Sequence, residues 1–229
     1  MPVLGMIRKG AFIHIPKNAG QSVQSMLSQL NGRVSYHFHD VDAKKLNPSV
    51  PQIVVLRDPV ERFCSAIQYA FDYFSGEPHV RNLLTNGLTD YNDVIQAFAN
   101  PDHQHHQAIC AEIKNIQQVH NIGGRVLTYR WTYTPQAEWV HRPRYVIFFE
   151  NLKEELEMVW KTFGASEMNE IKKNTSSRKN IQLTPENQAF LHEFYRDDYA
   201  LLEKYRSIPA SQRCSGQGLS YNKDGSVQL

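Results

Sequence analysis

"AFIHIPKNAGQS", residues 11–22, decides how the chain is read. Its first five residues, AFIHI (11–15), form a short apolar run of strand type. From Gly20 to Leu30, the residues Val23, Met26, Leu27 and Leu30 fall on one helical face, and Asn31-Gly32 ends the run. Strand, glycine-containing loop and helix make the frame of a phosphate loop, whose usual form is G-x-x-x-x-G-K-[ST]. The matching positions run from Ile15 to Ser22. Ile15 replaces the first glycine, Gln21 replaces the lysine, and Lys17 stands four positions earlier. At such a loop the backbone N–H groups and the helix dipole favour an anion. Gly20 allows close backbone approach, Ser22 offers a hydroxyl in the first turn, and Lys17 puts a positive charge at the lip. Magnesium is less well provided for, because the Gly-Lys pair is missing. The plain alternative is a tight strand-to-helix turn that binds nothing.

A second segment, IVVLRDPVERFCSAIQYAF (53–71), has the same frame. QIVVLR (52–57) reads as a buried strand, Asp58 as a helix cap and Pro59 as a first-turn residue, with the helix reaching about Phe74. Arg57 ends the strand and Ser65 lies two helical turns on. An arginine fork binds phosphate in a bidentate way, and serine adds a neutral bond. A strand-end ion pair with Asp58 is the alternative for Arg57. Arg62 is the structural candidate, paired with Asp58 or Glu61.

RVSYHF (33–38), RVLTY (125–129) and YVIFF (145–149) are further strands by alternation and β-branched or aromatic content. Residues 79–120 read as mostly helical, with a cap at Thr89-Asp90. NLKEELEMVWKTFG (151–164) is an amphipathic helix closed by Gly164, and Thr184-Pro185-Glu186 starts a last helix reaching about Tyr205. Alternating strands and helices imply an α/β fold: one three-layer α/β/α domain over residues 1–205, with a mostly parallel sheet. Residues 206–229 are a polar tail ordered only by docking. In such sheets ligands bind beyond the carboxyl ends of the strands, where both segments lie.

The chain has 229 residues, 41% hydrophobic and 21% charged, with a net charge of +2. That balance suits a soluble globular protein and gives no sign of a nucleic-acid coat. No apolar run approaches the ~20 residues of a membrane span. The N-terminal MPVLGMIRKG lacks a signal-type apolar stretch, so a cytoplasmic location is expected. Cys64, Cys110 and Cys214 are odd in number and widely spaced, which fits a reducing compartment and buried thiols.

FIHIPKNAGQS followed by VVLRDPVERFCSA resembles the sulfotransferases that use 3′-phosphoadenosine 5′-phosphosulfate, especially their carbohydrate-type branch. YTPQAEWV (133–140) resembles that branch's R-P-Q-x-x-Y-L segment. YVIFFENLKEELEMVWKTFG (145–164) resembles the strand and helix that follow it. KNTSS (173–177), with the helix after Leu183, resembles its closing loop and helix. The likeness runs in order over about residues 10–205. The branch commonly has Thr or Gly where Asn18 and Ala19 stand and Thr where Gln21 stands, and Thr132 stands where a histidine is often found.

The resemblance implies a P-loop-like fold and transfer of a sulfuryl group to an acceptor hydroxyl, a carbohydrate by family, with no metal required. Lys17 is expected to stabilise the leaving nucleotide's bridging oxygen. The loop residues Pro16, Lys17, Asn18, Ala19, Gly20, Gln21 and Ser22 are expected to hold the 5′-phosphosulfate, chiefly through backbone amides. Arg57 and Ser65 are expected to take the 3′-phosphate. The family often supplies a histidine base just after the second strand. Here His37 and His39 both stand there, His39 nearer the strand's end, with Asp40 or Asp42 to orient one of them.

Weaker candidates are His103, His105 and His106 as metal ligands or a solvated face. The basic run Lys172, Lys173, Arg178 and Lys179 is a loop over the nucleotide or a solvated one. Trp131, Tyr133 and Trp139 form a sugar-stacking wall or core. The rival functions are a P-loop kinase or NTPase with a degenerate loop, and a non-catalytic nucleotide-binding protein of the same fold.

Overall fold

The computed structural model describes residues 9–37, 42–73, 88, 90–115, 120–122, 125–127, 133–165, 181–215 and 217–228. By its contacts the chain divides into two compact units. The first comprises Met1–Arg57, Gln136–Asn174 and Leu201–Leu229. The second comprises Asp58–Pro135 and Thr175–Ala200.

The first unit is built on a parallel sheet of four strands: β1 (Gly10–Ile13), β2 (Val34–His37), β3 (Gln52–Leu56) and β6 (Tyr145–Phe148), in the order β2-β1-β3-β6. Register places Phe12 beside both Tyr36 and Ile53, and Ile53 beside Tyr145. Every residue of β1, β3 and β6 is buried. A parallel strand covered on both faces needs such unbroken apolar runs, and for that reason the strands were legible in the sequence. Helix α1 (Gly20–Leu27), continued as a 3-10 turn over Ser28–Leu30, lays Val23, Met26 and Leu30 against Phe12, Ile53 and Val55. The helix after β6, Leu152–Thr162, adds Leu156, Val159 and Trp160 to the same cluster. The unit is thus α/β, a parallel sheet flanked by helices.

The C-terminal segment docks on the open side of β6. Arg213 donates Nη1 to Glu155 Oε2 and Nη2 to Glu155 Oε1, each at 2.6 Å, and stacks 4.3 Å over the Phe148 ring. Glu155 Oε2 also accepts the Phe148 N–H at 2.7 Å. Val146 O takes Arg213 Nη1 at 2.8 Å and Cys214 Sγ at 3.1 Å. A strand edge that would otherwise expose its carbonyls is capped by side chains. Beyond it, Ser220–Tyr221 and Val227–Gln228 pair as an antiparallel ribbon, and Leu219 donates its N–H to Arg144 O.

The second unit is helical. Helices α2 (Pro59–Tyr73), α3 (Tyr91–Ala99), α4 (His106–Asn115) and Pro185–Phe194 bury Phe63, Ile67, Ile95, Phe98, Ile109 and Leu191 together. Asp90 caps α3 by accepting from Asn92 N. Thr184 caps the Pro185 helix by accepting from Asn187 N. That helix stops at Phe194 and a new one runs over Arg196–Arg206, so the single helix expected to Tyr205 is two. Tyr195 sits at the break, with its hydroxyl donating to Tyr133 O at 2.7 Å.

Arg125–Leu127 (β5) forms a strand as expected, but it pairs antiparallel with His120–Ile122 (β4) in a separate ribbon. Three-residue strands carry too little pattern to announce their sheet. Cys64, Cys110 and Cys214 are not joined in disulfides, and Cys64 and Cys214 are buried. Among the described residues no helix is long and apolar enough to cross a membrane.

Candidate functional site

The order β2-β1-β3-β6 contains one reversal. From β1 the chain passes to β2 on one side, then to β3 on the other. The carboxyl ends of β1 and β3 therefore flank the switch point, where open α/β sheets leave a crevice. The loop after β1 and Arg57 after β3 both stand there.

The loop is shaped by its own backbone. His14 donates its N–H to His37 O, and Asn18 donates to Ile15 O across a tight turn. Lys17 and Ala19 then hold φ at +66° and +60°, the left-handed region, though neither is glycine. Each such residue costs about 1–2 kcal/mol. Left-handed residues interleaved with ordinary ones turn successive N–H groups into one concavity, the geometry of an anion nest. The nest opens onto the N-terminus of α1, whose first turn carries no acidic side chain to offset the dipole.

His14 fixes the start of that helix. It is 7% exposed, and its Nδ1 lies 2.5 Å from the Tyr36 hydroxyl. Burial pushes the Tyr36 phenol well above its ordinary titration range, so it stays protonated and can donate to Nδ1. The ring's other edge lies on Gly20: a Cβ added there would stand 1.7 Å from His14 Nε2. Gly20 was expected to admit a ligand's close approach; the structure shows that it admits the imidazole.

The loop is tied to β3 by a second set of bonds. Asn18 is 1% exposed and donates Nδ2 to Val55 O and to Gln136 Oε1, both at 2.8 Å. Its side chain is therefore turned into the fold, and with its backbone N–H held by Ile15 O, Asn18 shapes the loop from within. Gln136, in the 3-10 turn Gln136–Trp139, is fully buried. It accepts the Arg57 N–H at 3.2 Å and donates Nε2 to Arg57 O at 2.6 Å. Arg57 itself donates Nη1 to Lys17 O at 3.2 Å, with its guanidinium 4.3 Å from the centre of the Phe149 ring. Loop, Arg57 and Gln136 thus form one connected constellation.

The other expected residues divide. Lys17 and Ser22 are half-buried, Pro16 is buried and Gln21 is exposed, all on the loop or the first turn of α1. His37 ends β2, and its Nε2 lies 2.9 Å from Ser35 Oγ. Since Ser35 Oγ donates to Gly10 O, the imidazole Nε2–H is the donor to it, and in the neutral ring Nδ1 is then the nitrogen with the lone pair. His39 and Asp40 lie outside the described residues, as do Trp131, the KNTSS segment and the basic run 172–179. Ser65 is half-buried on α2 in the second unit.

Arg62 is fully buried there and donates Nη1 to Thr134 O at 2.9 Å. Burial lowers its pKa, an effect opposed by Tyr195 and by the buried Asp198. Asp58, its expected partner, accepts the Glu61 N–H at 2.9 Å. Tyr133 and Trp139 are buried, as core residues are. His106 Nδ1 lies 3.0 Å from Ala97 O, and among the described residues no three His, Cys, Asp or Glu side chains converge to hold a metal.

Sequence reasoning passed over His14, Tyr36 and Gln136. His14 reads as one polar interruption of an apolar strand, and Gln136 as part of a motif without a role. Comparison with known proteins finds no matching family model, no matching curated protein and no matching solved structure.

Proposed function

We propose that this chain is a sulfotransferase on a three-layer, P-loop-like fold. It would move the sulfuryl group of 3′-phosphoadenosine 5′-phosphosulfate to an acceptor hydroxyl, with a carbohydrate as the first acceptor to try and the cytoplasm as its setting. The observation that carries this is the left-handed pair Lys17 and Ala19 at the mouth of α1, with Arg57 bonded to the same loop. One doubly anionic ligand suits two adjoining cationic features, a nest with an ammonium and a guanidinium.

In the reaction, the acceptor oxygen attacks sulfur in line as the bond from sulfur to the bridging phosphate oxygen breaks. The leaving bisphosphate takes both electrons, and the acceptor proton passes to a base. The protein has little covalent work to do, so positioning and charge stabilisation supply the rate. The amides of residues 19–22 and the Ser22 hydroxyl hold the 5′-phosphate, the residue-18 amide being taken by Ile15 O, and Lys17 meets charge developing on the bridging oxygen. Arg57 takes the 3′-phosphate. For the base, His37 offers an Nδ1 lone pair oriented by Ser35, and His39 is the second candidate. A half-buried arginine left without its anion loses a charge-assisted pairing, which disfavours ATP and AMP.

Thermal-shift titration with 3′,5′-bisphosphoadenosine, ATP and AMP tests the binding step. A ligand at a hundredfold excess over its Kd stabilises the fold by about 2.7 kcal/mol. The bisphosphate should do so at the lowest concentration; equal responses to all three ligands would remove the 3′-phosphate pocket. Labelled-sulfate transfer from the donor to a panel of carbohydrate, phenolic and small alcohol acceptors then tests the chemistry.

A further inference from the structure

We infer that Gln136 is the positioning residue that sets the distance between the two anion-binding features, and through it the preference for a ligand carrying phosphate at both ends. The inference rests on the proposed binding site. Three observations carry it. The carboxamide is fully buried. It meets the Arg57 peptide groups in both directions, as acceptor at 3.2 Å and donor at 2.6 Å. The same Oε1 receives Asn18 Nδ2 from the loop at 2.8 Å. One side chain therefore joins the loop to residue 57, and Arg57 Nη1 closes the circuit on Lys17 O.

The chemistry of the amide is specific. One end must accept two N–H groups and the other must give a proton to a carbonyl. The orientation is imposed, because the Arg57 N–H can only donate and the Arg57 carbonyl can only accept, which puts Oε1 on the first and Nε2 on the second. A carboxylate in place of this amide keeps the accepting end but turns a negative oxygen on Arg57 O. Protonated, the same carboxyl regains an O–H donor and copies the amide's pattern. Burial against a carbonyl oxygen favours that protonated form. Gln136→Glu is thus a pH-dependent break in the link, nearly equal in volume to the native residue.

The experiment measures Kd for 3′,5′-bisphosphoadenosine and for AMP by calorimetry, on the wild type and Gln136→Glu, at pH 8 and pH 5.5. Each variant ratio is divided by the wild-type ratio at the same pH, which removes the titration of the ligand's own phosphates. At pH 8 the variant should lose about tenfold or more for the bisphosphate, which spans both features. It should lose no more than about twofold for AMP, which occupies one of them. At pH 5.5 the preference should return to near the wild-type value. Residue loss that merely loosens the fold would weaken both ligands together and show no recovery in acid.

Asn18→Ala provides a second route should Gln136→Glu not fold at pH 8. It removes the loop's bond to Oε1 and spares the pairing with Arg57, so it should reduce the bisphosphate preference selectively. A wild type that does not prefer the bisphosphate would overturn the functional reading itself. A wild type that prefers it, with both variants keeping that preference at pH 8, would overturn the role of Gln136 alone.

Discussion

Gly20→Ala tests the packing on which the loop depends. The new Cβ would stand 1.7, 1.8 and 2.4 Å from Nε2, Cδ2 and Cε1 of His14. Ordinary carbon contacts begin near 3.5 Å, so the ring must retreat by roughly 2 Å. It has little room, being 7% exposed, and retreat breaks its bond to the Tyr36 hydroxyl. Overpacking costs about 1–3 kcal/mol and breaking a buried polar pair about 1–3 more. Alanine returns up to about 1 kcal/mol by restricting the unfolded chain. The net loss expected is about 2–4 kcal/mol. His14→Ala should cost about 2–3 kcal/mol through the lost bond and the space it leaves. In the double variant the methyl has somewhere to go, so the combined loss should fall short of the sum by about 2 kcal/mol, as coupled neighbours do. Urea unfolding of the four proteins, read from midpoints at a common m value, measures each term. Losses that add to within about 0.5 kcal/mol, or Gly20→Ala as stable as the wild type, would refute the contact between His14 and Gly20.

Four further outcomes follow from the same geometry. Ala19→Gly relieves a left-handed residue at φ +60° and should raise stability by up to about 1 kcal/mol in thermal melts, net of glycine's unfolded-state entropy. Lys17→Ala keeps a residue with a Cβ at φ +66°, so melts should barely move while sulfuryl transfer falls by about a hundredfold or more. Arg213→Met strands the buried Glu155 carboxylate and should destabilise by about 3–5 kcal/mol in denaturant titration. The Cys214 thiol is pushed from 9.0 to about 12, first by burial and then by Glu155. Its contribution to stability is full below pH 9 and should fade as pH rises toward 12, and native Cys214 should resist alkylation at pH 8 while the denatured chain reacts.

The apolar strands, the α1 stripe and the caps at Asp90 and Thr184 were legible because each is a local matter: a period, a hydroxyl, a carboxylate. The strand–loop–helix frame around residues 16–22 was legible too, since it needs only an apolar run before and a helical stripe after. The strand His120–Ile122, its antiparallel pairing with Arg125–Leu127 and the break at Tyr195 were not legible. A three-residue strand has no pattern of its own, and the break coincides with a hydroxyl reaching Tyr133, distant in sequence.

The sequence by itself determined that parallel strands would be buried, that Lys17 and Arg57 would both follow strands, and that a helix would begin at Gly20. Tertiary structure alone decided why Gly20 is glycine, which way the Asn18 amide faces, and that residue 136 joins residues 18 and 57. The reason is physical. Period and propensity act over a few residues, whereas a carboxamide finds its partners only after the chain has brought together residues 79 positions apart.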